Sequence, residues 1–251
     1  MADLSVNLNA VAYLRNRRDL PWPSVIDAAR LSLGAGASGL TVHPRPDERH
    51  IRRTDVFELV ELLRDEWPGR ELNIEGYPDE RFLKLCEVAR PDQVTLVPDD
   101  PQQSTSDHGW DIGTHGKMLA ETIERLQGSS LRVALFIDAD PAVPAMAAEV
   151  GADRVEMYTG PYGNPNGRTE EELARLVATA QACRKAGLRA ARGGAGLGIN
   201  AGHDLTLDNL PALIKAIPDL DECSIGHSLT ADALKYGFAE AVRRYVGVLT
   251  V

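Results

Sequence analysis

Eight apolar or β-branched runs, each followed by a stretch with helical periodicity, recur along this chain at a spacing of roughly 31 residues. The runs are Ser5–Asn9, the stretch ending at His43, Leu72–Glu75, Val94–Val97, Val133–Ile137, Val155–Thr159, Leu197–Asn200 and Glu222–Ile225. Strict β-α alternation forces parallel strands joined by crossover helices, and eight such units are enough for the sheet to close on itself. The expectation is a single (β/α)8 barrel domain, an α/β fold, over residues 1–251. Pro21 and Pro23 open the first helical stripe, Val25 to Leu33, which Gly34 and Gly36 end. Thr54 is placed to cap the next helix, Thr169 with Glu172 has capping-box spacing, and Asp208 is placed to cap a helix through Leu210 and Ile214. One final helix carries Leu234, Phe238, Val242 and Val246, and Arg15, Arg17 and Arg18 fall in a loop after the first strand.

With 27 basic and 37 acidic residues, the net charge of 27 − 37 = −10 opposes general attraction to nucleic acid or an anionic membrane. Basic residues gathered at one place therefore stand out. Cys86, Cys183 and Cys223 are odd in number, far apart and set in apolar surroundings, which reads as core thiols of a reducing cytoplasm. The start, Met1-Ala2-Asp3-Leu4, lacks a basic segment followed by an apolar run, and no stretch of about 18 apolar residues occurs. A soluble, untargeted protein is expected.

Every strand but the fourth ends in a side chain able to bind or to move a proton: Asn7 and Asn9, His43, Glu75, Asp138, Glu156, Asn200 with His203, and His227. In a closed barrel these ends converge on one mouth. The stretch His43-Pro44-Arg45-Pro46-Asp47-Glu48-Arg49-His50 is the densest, since its prolines stiffen a loop that carries two arginines and two histidines. Glu75, Glu156, His43 and His203 together read as an acid/base set suited to proton transfer near neutral pH. Plainer roles exist for the rest: Asp138 capping the following helix, Asn200 satisfied in the core, and His108 and His115 solvated in the long polar loop from Asp99 to Gly116. That loop is too long for a connector and reads as a lid. Arg18, Arg45 and His50 could bind one phosphate, and Gly202-His203 and Gly226-His227-Ser228 a second through backbone amides. Two anion sites imply a doubly anionic ligand or two phosphorylated substrates. A divalent metal is a competing reading of the histidines, although no H-x-H or H-E-x-x-H spacing anchors it. Gly193 to Gly196 precedes a strand, so it cannot act as a dinucleotide fingerprint.

Taken in order, these stretches resemble the pyridoxine 5'-phosphate synthase family of vitamin B6 biosynthesis. The resemblance runs through Asn7-Leu8-Asn9 with Leu14-Arg15-Asn16, Thr41-Val42-His43-Pro44-Arg45 to Arg49-His50-Ile51, Asn73-Ile74-Glu75 and Leu96-Val97-Pro98. It continues through Phe136-Ile137-Asp138-Ala139, Val155-Glu156 with Thr159-Gly160, Asn200-Ala201-Gly202-His203 and Ile225-Gly226-His227. It implies a cytoplasmic homo-octamer of (β/α)8 barrels, needing no metal or organic cofactor. The implied transferase reaction condenses 3-amino-2-oxopropyl phosphate with 1-deoxy-D-xylulose 5-phosphate to give pyridoxine 5'-phosphate, phosphate and water. By the same resemblance His43 and Glu75 match proton acceptors, His203 a proton donor and Glu156 a further carboxylate of the site. Asn7, Arg18, Gly226 and His227 match positions that bind the amino-ketone phosphate, and Arg45, His50 and Thr105 positions that bind the deoxyxylulose phosphate.

Two departures bear on substrate binding. Many relatives read Asn-x-Asp-His where this chain has Asn7-Leu8-Asn9-Ala10, which removes a carboxylate and an imidazole aimed at the sugar phosphate. Asp204 stands where a glycine is often found, placing a charge beside a phosphate-binding amide or a cap on the next helix. Two other functions stay open on the residues alone: a catalytically silent barrel that binds a phosphorylated metabolite, and a metal-dependent isomerase or aldolase.

Overall fold

In a computed structural model, which describes residues 1–18, 20–99, 105–186 and 198–250, eight parallel strands close in the order β1 to β8. They are β1 (Asp3–Asn7), β2 (Gly39–Val42), β3 (Glu71–Gly76), β4 (Gln93–Leu96), β5 (Arg132–Ile137), β6 (Arg154–Tyr158), β7 (Gly198–Gly202) and β8 (Glu222–Ile225). Around them run α1 (Asn9–Asn16), α2 (Val25–Gly34), α3 (Arg53–Glu66), α4 (Glu80–Ala89), α5 (Ile112–Gly128), α6 (Val143–Glu149), α7 (Gly160–Gly163), α8 (Thr169–Ala186), α9 (Leu210–Ala216), α10 (His227–Tyr236) and α11 (Phe238–Leu249). Closure is made by β1 against β8, with Ser5 beside Ser224 and Val6 beside Ile225.

Several expected boundaries shift, each for a local reason. Ser24, not a proline, caps α2, its side chain accepting from Asp27 N at 3.1 Å. Thr54 lies inside α3, where the Asp55 carboxylate instead accepts from Arg52 N at 2.7 Å. Thr169 is the first helical residue of α8 rather than its cap. Thr206 and Asn209, not Asp208, close the turn before α9: Asn209 Oδ1 accepts from Thr206 N at 2.8 Å, and Thr206 Oγ1 from Asn209 N at 3.2 Å. The last helix breaks at Gly237, whose φ of +82° a glycine adopts without strain. Arg15 sits in α1 rather than in a loop, and His115 lies on α5, where its ring meets Trp110 edge-on. The Gly193 to Gly196 segment lies outside the described residues.

The two faces of the barrel wall differ in kind. Outward residues such as Leu40, Val42, Ile74, Val94, Leu96, Val133, Leu135 and Val155 have no exposed surface and pack under the helices. Each contributes about 1.5–3 kcal/mol by burial. Apart from Phe136, whose ring lies 5.5 Å from that of Tyr158, the inward positions are polar or small. Asn200 Nδ2 on β7 donates to Gln93 Oε1 on β4 at 3.5 Å, and Gln93 Nε2 to Glu222 Oε1 on β8 at 3.5 Å. Strands that are not neighbours meet this way only through the barrel interior. Above these residues Ser5 and Thr41 hydroxyls lie 2.6 Å apart, and Thr95 Oγ1 donates to Asn73 Oδ1 at 3.0 Å. The main apolar core is thus the ring between strands and helices.

Candidate active site

The mouth is built around His43, immediately after β2. Its backbone N–H donates to Asn9 Oδ1 at 2.9 Å, and Asn9 N–H in turn to Asn7 Oδ1 at 3.0 Å, so the end of β1 fixes where β2 releases its histidine. Asn9, read from sequence as a substrate-binding position, here holds the His43 backbone. His43 Nδ1 lies 3.9 Å from Glu75 Oε2 and Nε2 lies 3.7 Å from Asp99 Oδ2. Burial lowers the His43 pKa well below its usual value, with Arg45 and His50 adding to the effect, so the imidazole is neutral and able to take a proton.

Burial has the opposite consequence for the carboxyl groups. Glu75 is raised to about 8 by desolvation and by the charges of Asp99 and Glu222, against the Arg45 charge and a hydrogen bond from Asn7 Nδ2 at 3.4 Å. Glu156 is raised well above its ordinary value by desolvation, Glu75 and Glu222. Its Oε2 is buried without a hydrogen-bond partner among the described residues. A Cβ at Gly202 would fall 2.3 Å from Glu156 Oε1, so β7 has to carry a glycine there for the carboxyl group to fit.

His203 follows β7 in a loop with positive φ at two non-glycine residues, His203 at +93° and Asp204 at +54°. Thr159 Oγ1 lies 2.6 Å from both the Gly202 and His203 carbonyl oxygens and clamps this turn. The ring packs edge-on to Tyr158, Nδ1 is 3.1 Å from the Asp204 carboxylate, and Nε2 is 2.9 Å from Thr105 Oγ1. Asp204 therefore turns its charge toward His203, and the next helix is closed without its side chain.

The anion-binding candidates divide. Arg45 is buried and pairs with Asp99, whose carboxyl also accepts from Ser106 Oγ at 2.9 Å. His50 is lowered to about 4 by burial and the nearby arginines, and its Nδ1 accepts from Ile51 N at 2.9 Å, so the ring is neutral and faces a ligand only through Nε2. Its carbonyl is held by Arg15 Nη2 at 3.1 Å and Asn16 Nδ2 at 2.7 Å, with Arg15 anchored on both oxygens of Asp55. Arg18 is exposed in the turn after α1. Gly226 precedes α10, where a Cβ would lie 3.0 Å from Asn7 Cβ, and His227 begins that helix with its side chain exposed.

Two residues escaped the sequence reading. Asp99 heads a polar loop in the sequence, yet it is buried and lies against both His43 and Arg45; its place directly after Val97-Pro98 is the signal for it. Arg81 lines a cavity of about 40 Å³ with His43, Arg45, Tyr77 and Asp99, and donates to the Pro44 carbonyl at 3.1 Å. Asp138, expected as a helix cap, instead accepts from Gly109 N at 2.9 Å and ties down the β4–α5 connection. Among the described residues no three histidine, cysteine or carboxylate side chains are grouped as a metal ion would need.

Solved structures match the architecture. Phosphoribosyl anthranilate isomerase from Thermotoga maritima superposes with a TM-score of 0.63 at 10% identity, over 100% of this chain and 99% of that one. A tryptophan synthase structure from M. tuberculosis gives 0.63 at 13% identity, over 99% and 92%. At that identity the fold alone is shared. Fold and relatives together define an enzyme built on a (β/α)8 barrel. The family model for the pyridoxal phosphate biosynthesis protein PdxJ matches residues 4–250, and the chain belongs to that family. Its relatives include the pyridoxine 5'-phosphate synthases of Chelativorans sp. strain BNC1, 58% identical over 97% of this chain and 96% of the relative, and of Brucella anthropi, 57% identical over 99% of each.

Proposed function

We infer that this barrel is a pyridoxine 5'-phosphate synthase, joining 3-amino-2-oxopropyl phosphate to 1-deoxy-D-xylulose 5-phosphate with release of phosphate and water. The observation that carries the reading is a neutral His43 set between the buried carboxyl groups of Glu75 and Asp99, in a chain whose relatives of that name match it end to end. Ring formation from an amine and a keto sugar needs repeated proton transfers, which groups of this kind supply. His43 and Glu75 act as proton acceptors and His203 as donor. Glu156, with one carboxyl oxygen unpartnered, faces the reacting atoms. Asn7, Arg18, Gly226 and His227 hold the amino-ketone phosphate, while Arg45, His50 and Thr105 hold the sugar phosphate, with Asn9 and Asp204 beside them. For Arg45 to bind phosphate it shares its charge with Asp99, which burial already pushes toward protonation.

The same reading makes the enzyme a cytoplasmic homo-octamer acting without metal or organic cofactor. Three buried free thiols suit a reducing compartment. Tyr13 and Leu14 on α1, and Leu234 and Tyr236 on the adjoining α10, are exposed apolar side chains of the kind subunit contacts cover. No helix among the described residues is long and apolar enough to cross a membrane. The test is to mix both substrates with purified protein, without added metal, and follow pyridoxine 5'-phosphate and inorganic phosphate together. Equal yields are expected. If neither forms while one phosphorylated compound binds tightly, the chain is a metabolite-binding barrel instead.

A further inference from the structure

Beneath the mouth lies a third buried carboxyl group that the proposed chemistry does not use. Glu222, at the start of β8, points into the barrel interior, where Asn200 Nδ2 donates to its Oε1 at 3.3 Å and Arg154 Nη1 lies 3.9 Å from Oε2. Arg154 precedes Glu156 by two residues on β6, so both side chains are on the inward face, one layer apart. Arg154 Nη1 also donates to Asn200 Oδ1 at 3.1 Å, which ties Glu222, Asn200 and Arg154 into one cluster below Glu156. The missing side chain at Gly202 lets the Glu156 carboxyl group lie against β7, two residues beyond Asn200, the hydrogen-bond partner of Glu222.

We propose that Glu222, out of contact with substrate, is a positioning residue that sets the charge of the Glu75 and Glu156 pair through the barrel interior. The inference rests on the synthase reading only in giving that pair its catalytic role. The physical ground is field focusing: the wall outside the strands is aliphatic, so a charge inside the barrel acts on its interior neighbours with little screening. The groups that face Glu222 are Asp3 from β1, Glu71 and Glu75 from β3, Arg132 from β5, and Arg154 and Glu156 from β6. From β4 and β7 the inward side chains beside Glu222 are the neutral Gln93 and Asn200, and from β2 the neutral Thr41 lies above them. Burial lifts Glu222 to about 7, against the pull of Arg154 and Arg132, so it is largely ionised when Glu75, at about 8, gives up its proton. An ionised Glu222 therefore holds protons on the upper pair.

Infrared titration of protein labelled with carbon-13 in glutamate reads these carboxyl groups without any substrate. In Glu222→Gln the transition of the upper pair should fall by about one pH unit, while Glu222→Asp, which keeps the charge, should leave it within a few tenths. Glu222→Met supplies a second neutral variant should Glu222→Gln not fold, and it must lower the transition of the upper pair by the same amount. In turnover, the acid limb of the pH profile should move down with the Glu222→Gln substitution, giving relatively more activity at pH 6. A merely structural residue would lower activity at every pH and leave the limb in place. Unmoved infrared transitions in Glu222→Gln and Glu222→Met overturn the proposal whether or not the synthase assay succeeds, and moved ones support it even if that assay fails.

Discussion

The floor and the mouth of this barrel hold the same kinds of side chain in different arrangements. At the floor both glutamates have a cation: Arg132 grips Glu71 and also reaches Gln93 Oε1 at 3.0 Å, and Arg154 stands beside Glu222. At the mouth Glu75 and Glu156 face one another, and the nearest guanidinium, that of Arg45, is engaged with Asp99. Paired groups in a buried cluster are costly to separate, whereas like charges brought together are held there against their own repulsion. The floor thus serves stability and the mouth serves chemistry, on the same strands.

Substitutions should separate these ends. The largest effect is expected at the mouth: Glu75→Gln and His203→Ala should each lower turnover about a hundredfold or more with substrate affinity near normal, measured by single-turnover kinetics beside calorimetry. Loss of affinity alone would blur the distinction. At the floor, Arg154→Met should cost about 2 kcal/mol in urea unfolding, tempered because Glu222 can take up a proton once its cation is gone. A mouth substitution that destabilised as much would break the comparison.

Acidity sharpens it further. Glu75 and Glu222 have folded pKa values of about 8 and 7, above an unfolded value near 4.5, so the folded state holds more protons than the unfolded chain between those limits. Their favourable contribution is complete below about pH 4.5 and is lost as pH rises through 7 and 8. His43 is shifted downward and stays neutral on both sides above its unfolded value, so it does not offset this trend. Thermal unfolding should weaken by about 1–2 kcal/mol from pH 6.5 to 9, and Glu75→Gln should flatten the decline. The smallest effect belongs to the His203 loop: Asp204→Gly relieves a left-handed residue and should gain about 0.5–1 kcal/mol in stability, while removing the partner of His203 Nδ1 and lowering turnover.

What could be read from sequence followed from periodicity. Alternating strands and helices show directly in apolar spacing, so the barrel and the strand-end residues His43, Glu75, Glu156 and His203 were legible. The polar floor was not, because residues such as Arg132, Arg154 and Glu222 stand at the first position of their strands and look like solvated flanks until closure brings distant strands together. Asp99 was missed for a related reason: a carboxylate at the head of a polar loop signals solvent, and only the return of the β2 loop with Arg45 buries it. The capping errors at Thr54 and Asp208 were one or two residues wide, the distance within which several polar side chains compete for the same amide groups.

An apolar ring outside the strands, with polar groups within, also bears on how such a barrel tolerates change. Most of the free energy that makes the chain collapse resides where helices meet the wall, in residues that no ligand touches. Inward side chains above the floor can therefore be exchanged, by drift or by design, with the architecture left standing. A scaffold arranged in this way can acquire a new preference among phosphorylated compounds before it loses the capacity to fold.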